Sequence, residues 1–260
     1  MAGTNAIEIR AVTKRYSERV NVLDGISLNV AEGEFLAIVG PSGSGKTTLL
    51  RLINRLTEPT SGAILVSGRE VRASDPIRLR REIGYVFQGV GLFPHMTVAE
   101  NIAITPRLIG WSAEERAARV DALLQLVRLD ARKYRARFPA ELSGGERQRV
   151  GVARALAAKP KIVLMDEPFG ALDALTRAAL TRDYRELHDE LGLTTVMITH
   201  DLTEAALLAG RIAVIHRGHI VEQGTPRELL ASPKDEYVRQ LVETPKTQAA
   251  RLATLLRGEP

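Results

Sequence analysis

The spacing of apolar and polar positions changes repeatedly along the chain, and each change marks an element. Ile7-Glu8-Ile9-Arg10-Ala11-Val12 alternates with a period of two and residues 22–30 form a second extended stretch, so the chain opens in β structure. Between them Lys14-Arg15-Tyr16 reads as a polar turn carrying one aromatic. Residues 35–39 are a continuous apolar run, the mark of a buried strand, and Leu49, Leu50, Leu52 and Ile53 follow as a helical stripe. That stripe ends near the breakers Glu58-Pro59-Thr60-Ser61-Gly62. Residues 63–67 and Ile83-Gly84-Tyr85-Val86-Phe87 are further strands, closed by Gly68 and by Gln88-Gly89. From Pro94 to about Leu129 the texture is helical. Thr97-Val98-Ala99-Glu100 and Ser112-Ala113-Glu114-Glu115 are capping boxes, in which the hydroxyl and the carboxylate three residues later satisfy each other's backbone amides. Val120, Leu123, Leu124 and Val127 give the second helix one apolar face, and Leu108-Ile109 with Trp111 are assigned to the local core, a partner contact being the alternative. Residues 161–165 and 194–199 are apolar or β-branched strands flanking a helix from about Leu175 to Leu191. Residues 211–216 and 220–223 close as strands around Arg217-Gly218-His219, and Thr225-Pro226-Arg227-Glu228 opens another helix. The tail, with Leu252, Leu255 and Leu256 among Arg and Ala, reads as a short amphipathic helix. Strands and helices in alternation predict an α/β fold.

Composition narrows the class without naming a function. A chain of 260 residues with 45% hydrophobic and 26% charged residues is long enough for a substantial core and has the balance of a globular protein. No apolar run approaches the roughly 18–20 residues of a spanning helix. The N-terminal Met-Ala-Gly-Thr-Asn lacks the basic and apolar regions of a signal peptide, so the expected location is cytoplasmic unless a partner recruits the chain to a membrane. With no cysteine, disulfides and cysteine-ligated metals are excluded. The net charge of +5 is a mild excess spread along the chain, better explained as a solvated surface than as a nucleic-acid site.

Chemistry enters with Gly40-Pro41-Ser42-Gly43-Ser44-Gly45-Lys46-Thr47, followed by Thr48, a full match to the phosphate-loop pattern between a strand and a helix. Glycines let backbone N–H groups converge on phosphate oxygens, and the following helix contributes the positive end of its dipole. Lys46 suits the β- and γ-phosphates and the Thr47 hydroxyl one Mg²⁺ position. Gln88, at a strand tip, carries an amide oxygen suited to Mg²⁺ or water. Asp166-Glu167-Pro168 delivers two carboxylates at a strand end; the first suits Mg²⁺ through its water shell, the second the polarising of an attacking water. Neighbouring strand residues point to opposite faces, so shared use of this pair requires a bend, for which Pro168 supplies a cause. His200 stands at another strand end, where open α/β sheets bind ligands. Ser143-Gly144-Gly145-Glu146 is a capping box whose two glycines weaken the first turn of a helix by roughly 1 kcal/mol each. An anion approaching that backbone accounts for them.

Taken together, these stretches resemble the ATP-binding subunit of an ABC transporter from about residue 7 to at least residue 241. The resemblance rests on the phosphate loop, Gln88 after Tyr85-Val86-Phe87, Leu142-Ser143-Gly144-Gly145-Glu146, the strand ending Asp166-Glu167-Pro168, Asp173 in Ala171-Leu172-Asp173, and His200. It implies a phosphate-loop NTPase cassette: a RecA-like core, an N-terminal antiparallel β subdomain and a helical subdomain at about 94–158. The cassette would cover 1–245, with a short tail at 246–260 and no paired regulatory domains. By the same resemblance Tyr16 stacks on adenine, Glu167 is the catalytic carboxylate, His200 the switch histidine at the γ-phosphate, and Lys46 serves catalysis. ATP and Mg²⁺ are the implied cofactors, with Thr47, Gln88 and, through water, Asp166 as metal ligands.

The resemblance also implies partners. Two cassettes face head to tail, so Ser143, Gly144, Gly145, Glu146 and Asp173 act in trans on ATP held by a second, identical or related subunit. A lone chain should then bind ATP and hydrolyse it poorly. Integral permease subunits, an extracytoplasmic substrate-binding protein acting indirectly, and a peripheral place on the cytoplasmic face of the inner membrane follow, with no role for nucleic acid. Asn54-Arg55-Leu56-Thr57-Glu58-Pro59-Thr60-Ser61-Gly62 and Gly91-Leu92-Phe93-Pro94-His95-Met96-Thr97-Val98-Ala99-Glu100-Asn101-Ile102 look like importers of glycine betaine, choline and related quaternary amines. One departure is Glu146, where the commonest form has Gln, and little effect is expected of it. An ABC ATPase for another solute such as an amino acid, or a soluble one acting on nucleic acid or ribosomes, is the alternative.

Overall fold

The computed structural model describes residues 4–17 and 20–257. The chain begins with a hairpin of β1 (Asn5–Ser17) and β2 (Val20–Ala31). β3 (Phe35–Val39) leads through the phosphate loop into α1 (Lys46–Ile53). After β4 (Ser61–Val66), β5 (Arg69–Glu70), α2 (Pro76–Glu82) and β6 (Ile83–Val86) comes a helical stretch of α3 (Val98–Leu108), α4 (Ala113–Leu126), α5 (Ala131–Tyr134) and α6 (Gly144–Leu156). The core resumes with β7 (Ile162–Asp166), α7 (Ala174–Leu191), β8 (Thr194–Thr199), α8 (Leu202–Leu208), β9 (Arg211–His216), β10 (His219–Gly224) and α9 (Pro226–Ala231). The last helix, α10 (Glu236–Arg257), passes through Pro245, so the division expected at 245/246 falls inside it. The apolar face expected of Leu252, Leu255 and Leu256 lies outside the described side chains.

The strands form two sheets. One is antiparallel in the order β2-β1-β4-β5; the other runs β10-β9-β3-β8-β7-β6, parallel except for β10 at its edge. Period-two alternation divides β3 between two cores. Phe35, Ala37 and Val39 pack with the helical side, together with Val150, Val163, Met165 and Met197. Leu36 and Ile38 face α1 and the antiparallel sheet, together with Ile7, Leu50, Leu164 and Ile198. A strand buried on both faces has no polar alternation, which is why 35–39 reads as a solid apolar run.

Two local expectations are corrected. Tyr16 lies on β1 and not in a polar turn, because the ladder to β2 continues through Lys14↔Leu23, Arg15↔Asn21 and Ser17↔Val20. Leu108 and Ile109 are exposed rather than part of the local core: α3 buries Val98, Asn101, Ile102 and Pro106, and its last residues fall off that stripe.

Candidate functional site

Four neighbouring parallel strands, β3, β8, β7 and β6, end on one edge of the larger sheet. Their register fixes what meets there: Val39 pairs with Thr199, Ile198 with Asp166, and Met165 with Val86. The residues that continue each strand, the loop 40–47, His200, Glu167 and Gln88, are therefore delivered to one place, as the rule for open α/β sheets requires.

The loop is shaped by its neighbours as well as by its sequence. A Cβ on Gly40 would collide with the Ile215 carbonyl oxygen, and one on Gly45 would lie 2.5 Å from Leu23 Cδ2 and 2.7 Å from Val22 O. Gly45 is also the N-cap of α1, at φ 100°, and supplies no side chain to its first-turn amides. By contrast α2, α3, α4, α6, α7, α8 and α9 all carry a side-chain cap. Ser44 is buried, and its Oγ has no partner among the described residues. Lys46 is likewise buried and donates to Gly40 O at 2.8 Å and Pro41 O at 2.9 Å. Burial lowers the Lys46 pKa, while Glu167 and Asp166 act the other way. Uncapped amides, an unpaired buried hydroxyl and a buried ammonium form a cradle for an anion.

Beside it stand the carboxylates. Thr47 Oγ1 donates to Asp166 Oδ1 at 3.3 Å. Burial holds the Asp166 carboxyl above the ordinary range against the opposing Thr47 hydrogen bond. A half-desolvated carboxylate touching a hydroxyl is a hard oxygen pair that fits Mg²⁺. The bend expected after Asp166 is made by Glu167 itself, at φ 44°, while its N–H donates to Ile198 O at 3.0 Å. That left-handed turn is strained for a residue with a Cβ, and it swings the carboxylate to the strand ends. Glu167 Oε2 is then 3.5 Å from Gln88 Nε2 and 3.3 Å from His200 Nδ1.

Ser143, Gly144, Gly145 and Glu146 occupy the start of α6, where Ser143 and Glu146 complete a capping box. Tyr134 Oη donates to Glu146 Oε1 at 2.5 Å, and this hydrogen bond leads the causes that lower the Glu146 pKa. Asp173 caps α7 by accepting from Thr176 N at 3.0 Å. The two starts meet: a Cβ on Gly145 would lie 2.5 Å from Thr176 Cγ2, whereas one on Gly144 would meet only Leu172 Cδ2 at 3.7 Å. Gly145 is thus explained by packing inside this chain, and the case for an approaching ligand rests on Gly144. Tyr16 is 61% exposed with Lys14 Nζ 4.8 Å from its ring centre, at the end of the hairpin whose Val22 and Leu23 pack on Gly45.

A protein-family model described as "ABC transporter" matches residues 23–170. This chain belongs to that family. It is 47% identical over 91% of its length to the glycine betaine/carnitine/choline transport ATP-binding protein OpuCA of Bacillus subtilis (strain 168), spanning 62% of that relative. It is 43% identical over 98% of its length to the choline transport ATP-binding protein OpuBA of the same organism, spanning 68% of it. Among solved structures, the dimeric post-hydrolysis state of the ATP-binding cassette MJ0796 bound to ADP and Pi superposes with a TM-score of 0.76 at 36% identity, covering 85% of this chain and 99% of that one. The fold is that of an ABC ATPase cassette.

Tyr85, beside Asp166, reads in the sequence only as a residue of the strand that leads to Gln88. Burial, reinforced by the charge of Asp166, raises the Tyr85 hydroxyl far above its usual range.

Proposed function

We propose that this chain binds and hydrolyses ATP to drive an importer of glycine betaine, choline or a related quaternary amine. The observation that carries the enzymatic reading is the convergence of Gln88 and His200 on one oxygen of Glu167, beside the phosphate loop. Residues 40–48 wrap the phosphates, Lys46 turning from its loop carbonyls to the γ-phosphate, and Tyr16 stacks on the adenine. Glu167 orients the attacking water and takes up its proton, and His200 holds the γ-phosphate and Glu167 in line. Mg²⁺ bound by Thr47, Gln88 and, through water, Asp166 would neutralise phosphate charge. A second copy completes the site with Ser143, Gly144, Gly145, Glu146 and Asp173, so closure follows ATP and opening follows hydrolysis. Permease subunits convert this cycle into import, the chain sitting peripherally on the cytoplasmic face of the membrane. The MJ0796 dimer with ADP and Pi supports the paired arrangement, and the choline and betaine relatives support the solute class. As domain organisation, we take 1–245 as the cassette, 94–158 as its helical subdomain and 246–260 as a tail.

Glu167→Gln tests the catalytic step. The variant should bind ATP with unchanged affinity, accumulate a dimer on size-exclusion chromatography with ATP, and lose hydrolysis by about 100-fold or more, within the range of a missing general base. Wild-type turnover in Glu167→Gln would sink the assignment. Uptake of betaine, choline, carnitine, sulfate and amino acids by cells carrying the chain with its permease decides the solute.

A further inference from the structure

Glu204, in the first turn of α8, takes no part in the site described above, yet it is only 8% exposed. Its Oε2 accepts a hydrogen bond from Thr199 Oγ1, and its Oε1 is buried with no partner among the described residues. A buried carboxyl with a free oxygen works against stability. Nor does α8 need Glu204 for its start, because Asp201 Oδ1 already accepts from Thr203 N at 2.8 Å and Glu204 N at 3.1 Å. Burial raises the Glu204 pKa, with Asp201 adding to the rise and the Thr199 hydrogen bond, Arg177 and His200 opposing it.

The connections of Thr199 give this carboxyl a use. While donating to Glu204, Thr199 Oγ1 accepts from Asp201 N at 3.0 Å. Glu204, Thr199 and Asp201 therefore close a ring across the turn, with His200 between its two ends. The His200 side chain is 58% exposed, and its Nδ1 lies 3.3 Å from Glu167 Oε2. Among the described residues Glu167 is the polar contact of the imidazole, so its direction depends also on the turn that carries it.

We propose that Glu204 is a positioning residue for His200: through the Thr199 hydroxyl it locks the turn that directs the imidazole at Glu167 and the γ-phosphate. The inference rests on the ATPase reading given above. It extends the site one layer behind the residues that would touch ATP.

The test is steady-state ATP hydrolysis by the full chain, at concentrations spanning self-association, with ATP affinity and thermal midpoint measured alongside. Glu204→Leu and Thr199→Val cut the link from its two ends, and Thr199→Val is close to isosteric. Glu204→Gln keeps an acceptor oxygen for Thr199 in a neutral side chain. We expect the first two variants to lose about 10-fold or more in kcat at unchanged ATP affinity, and Glu204→Gln to stay within about 3-fold of wild type. Glu204→Leu combined with His200→Ala should lose no more than His200→Ala alone, since groups acting through one another are not additive. If Glu204→Leu misfolds, Thr199→Val carries the same comparison. A His200→Ala loss with full activity in Thr199→Val or Glu204→Leu, or losses that multiply in the double variant, would overturn the positioning role alone. Unchanged kcat in His200→Ala would remove the underlying catalytic reading and this role with it.

Discussion

Gly144 and Gly145 head the same helix but differ in the room beside them, and alanine at each should fail in a different way. At Gly144 the new Cβ meets one methyl at 3.7 Å, an ordinary contact, so the substitution removes a helical glycine without a clash. That is worth up to about 1 kcal/mol in favour of folding. At Gly145 the Cβ would sit 2.5 Å from Thr176 Cγ2, and such overpacking costs about 1–3 kcal/mol unless α7 shifts. The helix gain is common to both sites, so the two variants should differ by about 1–3 kcal/mol, roughly 2–12 °C in thermal midpoint for a chain of this size. Thr176→Ser deletes Cγ2 while keeping the hydroxyl and the backbone N–H capped by Asp173, and it should restore most of the loss in Gly145→Ala. Activity should run the other way. Gly144→Ala, the more stable variant, should lose about 10-fold or more in hydrolysis and in ATP-driven pairing, because on the proposed pairing its methyl would occupy the space of a partner's phosphate. Differential scanning fluorimetry and a phosphate-release assay read both quantities. Wild-type hydrolysis by Gly144→Ala would refute a ligand at this backbone, and an unshifted midpoint in Gly145→Ala would refute the packing account.

Other residues make independent tests. Asp183, buried on α7, is ion-paired to Arg149 at 2.8 Å and to Arg128 at 3.0 Å. Arg149→Ala strips the more buried partner and should cost about 3 kcal/mol by urea unfolding, whereas Arg128→Ala, 56% exposed, should cost under about 1 kcal/mol. His188 is buried with Nδ1 3.0 Å from Thr195 Oγ1, and burial first, then Arg185, lowers its pKa from 6.5. Below about pH 6.5 the unfolded chain therefore binds the proton the folded chain refuses, so stability falls as pH falls, by at most about 1.4 kcal/mol per unit. His188→Gln should flatten that segment of the thermal-midpoint profile, and an unchanged slope would assign it to other groups. Tyr16→Ala should leave the midpoint unchanged, since the ring is exposed, and weaken ATP binding by about 1–3 kcal/mol in titration calorimetry.

What could be read from the chain, and what could not, follows from the range of the forces involved. The strand Thr194–Thr199 and the caps Thr97, Ser112, Ser143 and Thr225 were legible because β-branched runs and capping boxes act over a few residues. The short helix Pro76–Glu82 leaves no such mark: it buries only Leu79, so it has no apolar stripe to reveal it. The left-handed Glu167, the Thr199–Glu204 bond and the clash awaiting Gly145 depend on elements brought together by the sheet, and no local pattern carries them. Even the phosphate loop is legible for two reasons at once. Gly40 and Gly45 are demanded by Ile215, Val22 and Leu23 before any phosphate arrives, while Ser44 and Lys46 keep a hydroxyl and an ammonium buried without the partner they would choose. The same eight residues thus satisfy packing and leave binding unsatisfied. Substituting Gly40 or Gly45 should therefore lower folding stability along with ATP affinity, whereas Ser44→Ala should lower affinity and leave stability intact or raise it, since it deletes an unpaired buried hydroxyl.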